Sequence, residues 1–301
     1  MAEHFDIIIV GGGPAGLTAA IYARRAGKSV LLLEKESFGG QIASSPKVEN
    51  FPGFTAISGA ELADRLYEQA DALGARIELE EVVSVETGKP HTVTTDYGTY
   101  TGTALILATG MKHRTLGLTG EETMAGISFC AVCDGAFYAG RDTAVCGGGN
   151  TALQDAIYLA DICHHVYLIH RRSEFRGDPI LVETLKKREN VTMITDTVID
   201  ALLGEGSLSA LLIRNVLTGT TQELPVSGLF EAVGQQPEGK LAVALSVADD
   251  SGFIASSETC LTSVPGVFAA GDCRTKEIRQ LTTACADGAV SALAACAYCN
   301  Q

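Results

Sequence analysis

One feature constrains this chain more than any other: a glycine-rich turn between a strand and a helix, used twice. Phe5 to Val10 reads as a continuous buried strand and runs into Gly11-Gly12-Gly13-Pro14-Ala15-Gly16. Leu17 to Ala26 is then rich in helix formers, and Ser29 to Glu34 reads as a second strand. The same order returns at Thr143 to Cys146, Gly147-Gly148-Gly149-Asn150-Thr151-Ala152, Leu153 to Ala160 and Val166 to His170. Each is a βαβ unit of the kind that lays a pyrophosphate against amide groups at a helix start. Glu34 lies 18 positions past Gly16 (34 minus 16) and His170 lies 18 past Ala152 (170 minus 152), so the two units match in size. The expected class is α/β, with two Rossmann-like, three-layer nucleotide-binding domains, one starting near residue 1 and the other near residue 115. A chain of 301 residues, 46% hydrophobic, can support two cores.

Between the repeats, Ala75 to Val85, His91 to Thr95 and Ala104 to Ala108 read as strands, and Ser58 to Leu73 as an amphipathic helix. After the second repeat, Val191 to Leu203, Leu208 to Arg214 and Thr220 to Leu224 read as a meander.

The two turns differ in what closes them. At the first, with Gly11, Gly13 and Gly16 in the fingerprint positions, the second strand ends on Glu34, placed to accept hydrogen bonds from both hydroxyls of an adenosine ribose. A carboxylate there repels a 2′-phosphate, so this site should take FAD or NAD rather than NADP. At the second, with Gly147, Gly149 and Ala152, the acid is replaced by His170-Arg171-Arg172-Ser173-Glu174-Phe175-Arg176. Arginine forks suit the 2′-phosphate of NADP, and loss of the acid removes the repulsion. A solvated basic loop is the plainer reading. Four potentially cationic groups in seven residues favour a phosphate site, because the chain as a whole carries a formal charge of -14.

That charge removes any general attraction to nucleic acid or an anionic membrane. No uninterrupted apolar run approaches the ~20 residues needed to span a bilayer, and the first ten residues do not read as a signal peptide. Nine cysteines, odd in number and mostly isolated, fit a reducing cytoplasm, where a close pair means redox chemistry or metal more often than bracing. Two pairs exist, Cys130 with Cys133 and Cys296 with Cys299. The first can be half of a zinc site, a thiol-disulfide pair or an accident of the core. Zinc normally needs four ligands, and no further Cys or His stands beside Cys130 at ligand spacing, so no metal is expected and redox chemistry is favoured. Asp134 follows as a proton donor or acceptor, a role compatible with its capping a helix. The second pair, at i and i+3 on a terminal helix, can be a further relay or two incidental thiols.

Taken in order, the motifs resemble the low-molecular-weight thioredoxin reductases along essentially the whole chain. They are the Gly11 to Gly16 turn, Gly39-Gly40-Gln41, Val48 to Gly53, Ala108-Thr109-Gly110, Cys130-Ala131-Val132-Cys133-Asp134-Gly135, Gly147 to Ala152, His170 to Arg176, Gly234 to Pro237, and Phe268 to Asp272 followed by Arg279-Gln280. Phe51, where some relatives carry tryptophan, and Gln154-Asp155, where some carry two glutamates, depart from the pattern. The resemblance implies a discontinuous FAD domain over 1–113 and 238–301, with an NADPH domain over 114–237 inserted into it and carrying the disulfide. It implies FAD contacts from Gly11, Gly13, Pro14, Ala15, Gly16, Glu34, Lys35, Gly40, Gln41, Asn50, Val83, Ala108, Thr109, Gly110, Gly271, Asp272, Arg279, Gln280 and Leu281. For NADPH it implies Gly149, Asn150, Thr151, His170, Arg171, Arg172, Arg176 and Gly234. In such proteins NADPH reduces the flavin, the flavin reduces the disulfide, and the disulfide reduces thioredoxin, with Cys133 facing the flavin, Cys130 attacking the client and Asp134 handling the proton. A homodimer and a rotation of the inserted domain about Lys112 to Thr115 and Gly234 to Gly239 also belong to the resemblance. Rival readings are a same-fold reductase fed by ferredoxin, one serving a peroxiredoxin-type partner, an oxidase of small dithiols, and a redox sensor that binds nucleotides without turnover.

Overall fold

The computed structural model describes residues 2–45 and 47–301. The chain folds as two compact units, Met1–Lys112 with Gln236–Gln301, and His113–Gln235. It opens with β1 (Glu3–Val10), α1 (Pro14–Arg25), β2 (Val30–Glu34), α2 (Gly59–Ala72), β3 (Arg76–Leu79), β4 (Val82–Glu86), β5 (His91–Thr95), β6 (Thr99–Leu107) and β7 (Met111–His113). There follow β8 (Ile127–Ser128), α3 (Ala131–Asp134), β9 (Asp142–Gly147), α4 (Asn150–Ala160), β10 (His165–Ile169), α5 (Pro179–Lys186), β11 (Val191–Ile194), β12 (Thr197–Leu203), β13 (Ala210–Asn215), β14 (Thr221–Pro225) and β15 (Gly228–Ala232). The chain ends with β16 (Gln235–Pro237), α6 (Lys240–Ala244), β17 (Val267–Ala269) and α7 (Leu281–Cys299).

The first unit is built on a seven-stranded sheet in the order β3-β2-β1-β6-β5-β4, with β17 also pairing with β6. β1 is parallel to both neighbours, Ile7 opposite Val30 and Ala104. Its run of apolar residues is continuous because both faces are covered. Ile7 and Ile9 pack with Leu17, Ala20 and Phe268, while Ile8 and Val10 pack with Leu31, Leu33 and Val247 on the other side. α7 closes the first layer against α1. It is 19 residues long, with a mean hydropathy of 1.2, enough by length and composition to cross a membrane. Here one face of it packs on α1, with Asp287 buried in its middle.

The second unit carries a five-stranded parallel sheet, β11-β10-β9-β15-β8, and a three-stranded antiparallel sheet, β12-β13-β14. α3, α4 and α5 cover one face. The antiparallel sheet covers the other through Ile199, Leu211 and Ile213 packed on Ala144, Ile169 and Leu229.

Two strand readings need correction. Ala75 to Val85 is not one strand: it breaks at Glu80-Glu81, so that β3 runs parallel to β2 while β4 turns antiparallel to β5. Val191 to Leu203 likewise divides at Asp196, whose φ of 50° turns the chain out of the parallel sheet and into the antiparallel one. The helix at Ser58 forms as read, with the Glu61 amide donating to Ser58 Oγ at 3.1 Å.

Candidate active site

Cys130 and Cys133 are joined in a disulfide, their Cα atoms 5.3 Å apart. Cys130 stands at the start of α3, and its sulfur accepts the Cys133 amide at 3.2 Å. An N–H aimed at sulfur stabilises that atom as a thiolate once the bond is broken. Ala131 is buried beneath the pair, whereas Val132 is exposed and Phe137, four residues past Cys133, is 77% exposed. Apolar side chains left in solvent beside an exchangeable disulfide suit contact with another protein.

Asp134 ends α3 without capping a helix through its side chain. Its Oδ2 instead accepts the Ser128 hydroxyl at 2.7 Å, and Ser128 Oγ accepts the Cys130 amide at 3.1 Å. Ser128, buried at the end of β8, therefore ties the first cysteine to the acid, a role with no signal in the sequence beyond its place two residues before Cys130. Burial pushes the thiols of Cys296 and Cys299 up, that of Cys299 to about 11, which makes both poor thiolates and argues against a relay at the terminal helix.

In the first unit, a cavity of about 500 Å³ is walled by Gly11, Gly13, Pro14, Ala15, Glu34, Lys35, Gly40, Gln41, Ala108, Thr109, Gly110, Gly271, Asp272 and Leu281. Val83 lines an adjoining space of about 350 Å³ with Glu34 and Lys35. Gly16 lies beneath the turn, where a Cβ would land on the Gly11 carbonyl oxygen. Asn50, Arg279 and Gln280 are outside the wall: Asn50 Nδ2 donates to Gln280 Oε1 at 3.3 Å, and Arg279 stacks on Phe253 at 4.2 Å. The Glu34 carboxylate receives the Gly12 amide at 2.6 Å and the amides of Lys35 and Glu36.

Two observations test whether this cavity fits a dinucleotide. Gly13 has φ -76°, open to any residue, and a Cβ there would meet nothing within 4 Å, so neither conformation nor packing requires glycine. A ligand brought against the backbone does. The second is Asp272 Oδ1, buried at the cavity without a hydrogen-bond partner, its carboxyl pushed up by burial. A sugar hydroxyl supplies what it lacks. The residues fit FAD.

The second fingerprint repeats the first observation: Gly149, φ -97°, also has open space where a side chain would stand. The basic loop folds back onto this turn, the Arg176 and Gly177 amides both donating to the Gly148 carbonyl, at 2.7 and 3.1 Å. Arg171, Arg172 and Arg176 are exposed there. Asn150 Oδ1 accepts the Asp178 amide at 2.7 Å, Thr151 is exposed on the first turn of α4, and Gly234 receives the Arg114 amide on its carbonyl. His170 stands apart from the arginines. Its ring is buried against Gly148 and stacked on Phe175 at 5.1 Å, and burial holds its pKa below the ordinary imidazole value. Arg171, Arg172 and Arg176 carry the exposed charge of the loop.

Among the described residues, no group of three or more His, Cys, Asp and Glu could hold a metal ion. Residues 5–288 match the pyridine nucleotide-disulphide oxidoreductase family. The chain is 38% identical over 301 residues to thioredoxin reductase of Listeria innocua, covering 99% of this chain and 94% of that one. It is 40% identical to thioredoxin reductase of Treponema pallidum, covering 99% and 98%. The crystal structure of Lactococcus lactis thioredoxin reductase superposes with a TM-score of 0.87 at 35% identity, over 98% of this chain and 99% of that one. With the same paired turns and the same central disulfide behind it, this chain belongs to the pyridine nucleotide-disulphide oxidoreductases, in their low-molecular-weight thioredoxin reductase group.

Proposed function

We propose that this protein is an NADPH-dependent, FAD-containing reductase of thioredoxin whose exchangeable disulfide is Cys130–Cys133. The observation that carries the reading is that disulfide, flanked by exposed Val132 and Phe137 on the same unit as the arginine-framed turn. FAD, when bound, supplies two-electron exchange between a nicotinamide and a dithiol. Gly13 and Ala15, at the start of α1, offer it backbone amides, Glu34 a ribose acceptor, and Asp272 an acceptor for the ribityl region. Arg171, Arg172 and Arg176 hold the 2′-phosphate of NADPH beside Gly149. That cluster favours NADPH over ferredoxin as donor.

The chemistry toward the client follows from the reduced pair. The Cys130 thiolate, favoured by the Cys133 amide, attacks one sulfur of the client disulfide and releases the other as a thiolate, which takes a proton from Asp134. The Cys133 thiol then returns a proton to the Asp134 carboxylate and attacks Cys130 Sγ, re-forming the internal disulfide and releasing the second client thiolate, which takes a proton from water. The client leaves as a dithiol and the protein is oxidised by two electrons. We place the enzyme as a homodimer in a reducing cytoplasm, a setting supported by its seven free cysteines.

Anaerobic titration with NADPH, NADH and reduced ferredoxin, each followed by flavin bleaching and then by thioredoxin, tests the reading. NADPH should bleach the flavin at stoichiometric amounts, and Cys133→Ser should keep that bleaching while losing thioredoxin reduction. Loss of bleaching with every donor would support a sensor instead. Replacing Arg171 and Arg176 with glutamine should raise the KM for NADPH by roughly tenfold or more while sparing that for NADH; equal effects would overturn the 2′-phosphate assignment.

A further inference from the structure

The most strongly tied charged group in the first unit lies outside every motif. Asp287, in the middle of α7, accepts Arg274 Nη2 and Nε on its two oxygens at 2.8 Å each, and Lys276 Nζ at 2.8 Å. All three side chains are less than a tenth exposed. An isolated buried carboxylate would be prohibitive, and two cations with a forked contact make it tolerable. What it holds is the backbone of the turn before it: the Gly271 amide donates to Asp287 Oδ2 at 3.1 Å.

Gly271 has φ +83°, and a Cβ on it would stand 2.9 Å from that of Ala15, on the first turn of α1. The next residue along α7, Gly288, has no side chain because a Cβ would strike the Ala15 carbonyl oxygen. The Asp287-Gly288 step therefore meets two walls of the cleft at once, the Gly271-Asp272 turn and the start of α1. Asp272, with its orphaned Oδ1, is aimed from that turn.

We propose that Asp287, charge-balanced by Arg274 and Lys276, is a positioning residue for the flavin: it pins the Gly271 amide and so sets the direction in which Asp272 reaches the cofactor. This rests on the reading of the cleft as an FAD site. It assigns no contact between Asp287 and the flavin itself.

The test is a double-mutant cycle on the full-length holoprotein, using Asp287→Asn, Asp272→Asn and both, with FAD dissociation read from the fluorescence of released flavin and the visible spectrum recorded in parallel. Each single change should weaken FAD binding by roughly tenfold. The double variant should be little weaker than the worse single one, because both changes remove one function. The flavin absorption bands should move in the same direction in both single variants. Additive losses, or a folded Asp287→Asn protein with unchanged FAD affinity, would overturn the proposal. Should Asp287→Asn fail to fold, Asp287→Asn combined with Lys276→Met removes an anion and a cation together, keeps the net charge of the cluster and should show the same weakening. Asp272→Asn without effect would refute the FAD placement and the proposal with it; Asp272→Asn with effect but Asp287→Asn without refutes the proposal alone.

Discussion

Asp134 and Ser128 share one hydrogen bond beside the disulfide, so their loss should be felt at the client step and not before it. Asp134→Asn is expected to slow thioredoxin reduction by about 10²-fold, the usual contribution of a positioned acid-base group. Stopped-flow measurement should find reduction of the flavin by NADPH unaltered. Ser128→Ala should slow the same step by less, through a misdirected acid. The cysteine pair was legible because its chemistry is written in local spacing, and the same spacing put Glu34 and the arginines beside the two turns. Ser128 and Asp287 were not, since their partners are brought by the fold: the Gly271 amide is 16 positions from Asp287 and answers to no periodic pattern. At His170 burial, invisible in a string of basic residues, lowers the pKa of the imidazole.

At the scale of the element, Gly13 and Gly16 of the first turn separate stability from binding. Gly16→Ala would drive a Cβ into the Gly11 carbonyl oxygen and should damage both, lowering Tm and flavin content together. Gly13→Ala, at φ -76° with open space before it, should leave stability within about 1 kcal/mol and yet strip the protein of FAD. Differential scanning calorimetry with a flavin assay of the purified variants checks both. Helix starts and the paired βαβ units were readable because caps and apolar periods are local signals, as Ser58 shows. The divisions at Glu80-Glu81 and Asp196 were hidden, because an apolar run has the same composition whether it continues one strand or leaves a parallel sheet for an antiparallel one.

For the whole molecule, pH acts through a buried carboxyl pair in the second unit. Glu231 at the end of β15 and Glu121 both accept the Leu116 amide, at 3.1 and 2.9 Å. Burial first, then the hydrogen bond and charge of Glu121, push Glu231 up to about 8 from 4.5. The fold holds a proton that the unfolded chain releases, so the contribution is fully present below pH 4.5, shrinks as pH rises and is lost once pH passes about 8. Glu231→Gln should therefore flatten the decline of Tm with pH across that window; parallel curves would show that no such proton is held. A covalent link between the two units should leave FAD bound and abolish turnover if the inserted unit must rotate. Two units were foreseeable from the repeated turn. The three-stranded sheet covering one face of the second was legible only as a meander without a destination.

β7 and β16, the stretches through which the chain passes from one unit to the other and back, form a two-stranded sheet of their own. An inserted segment whose two ends lie side by side behaves as a cassette. Deleting 113–235 and closing the gap with a short linker asks for no rearrangement of the remaining sheet. The shortened gene should yield a protein that folds, turns yellow and does nothing further. Such a product would separate the holding of flavin from every later step that needs the second turn and the disulfide.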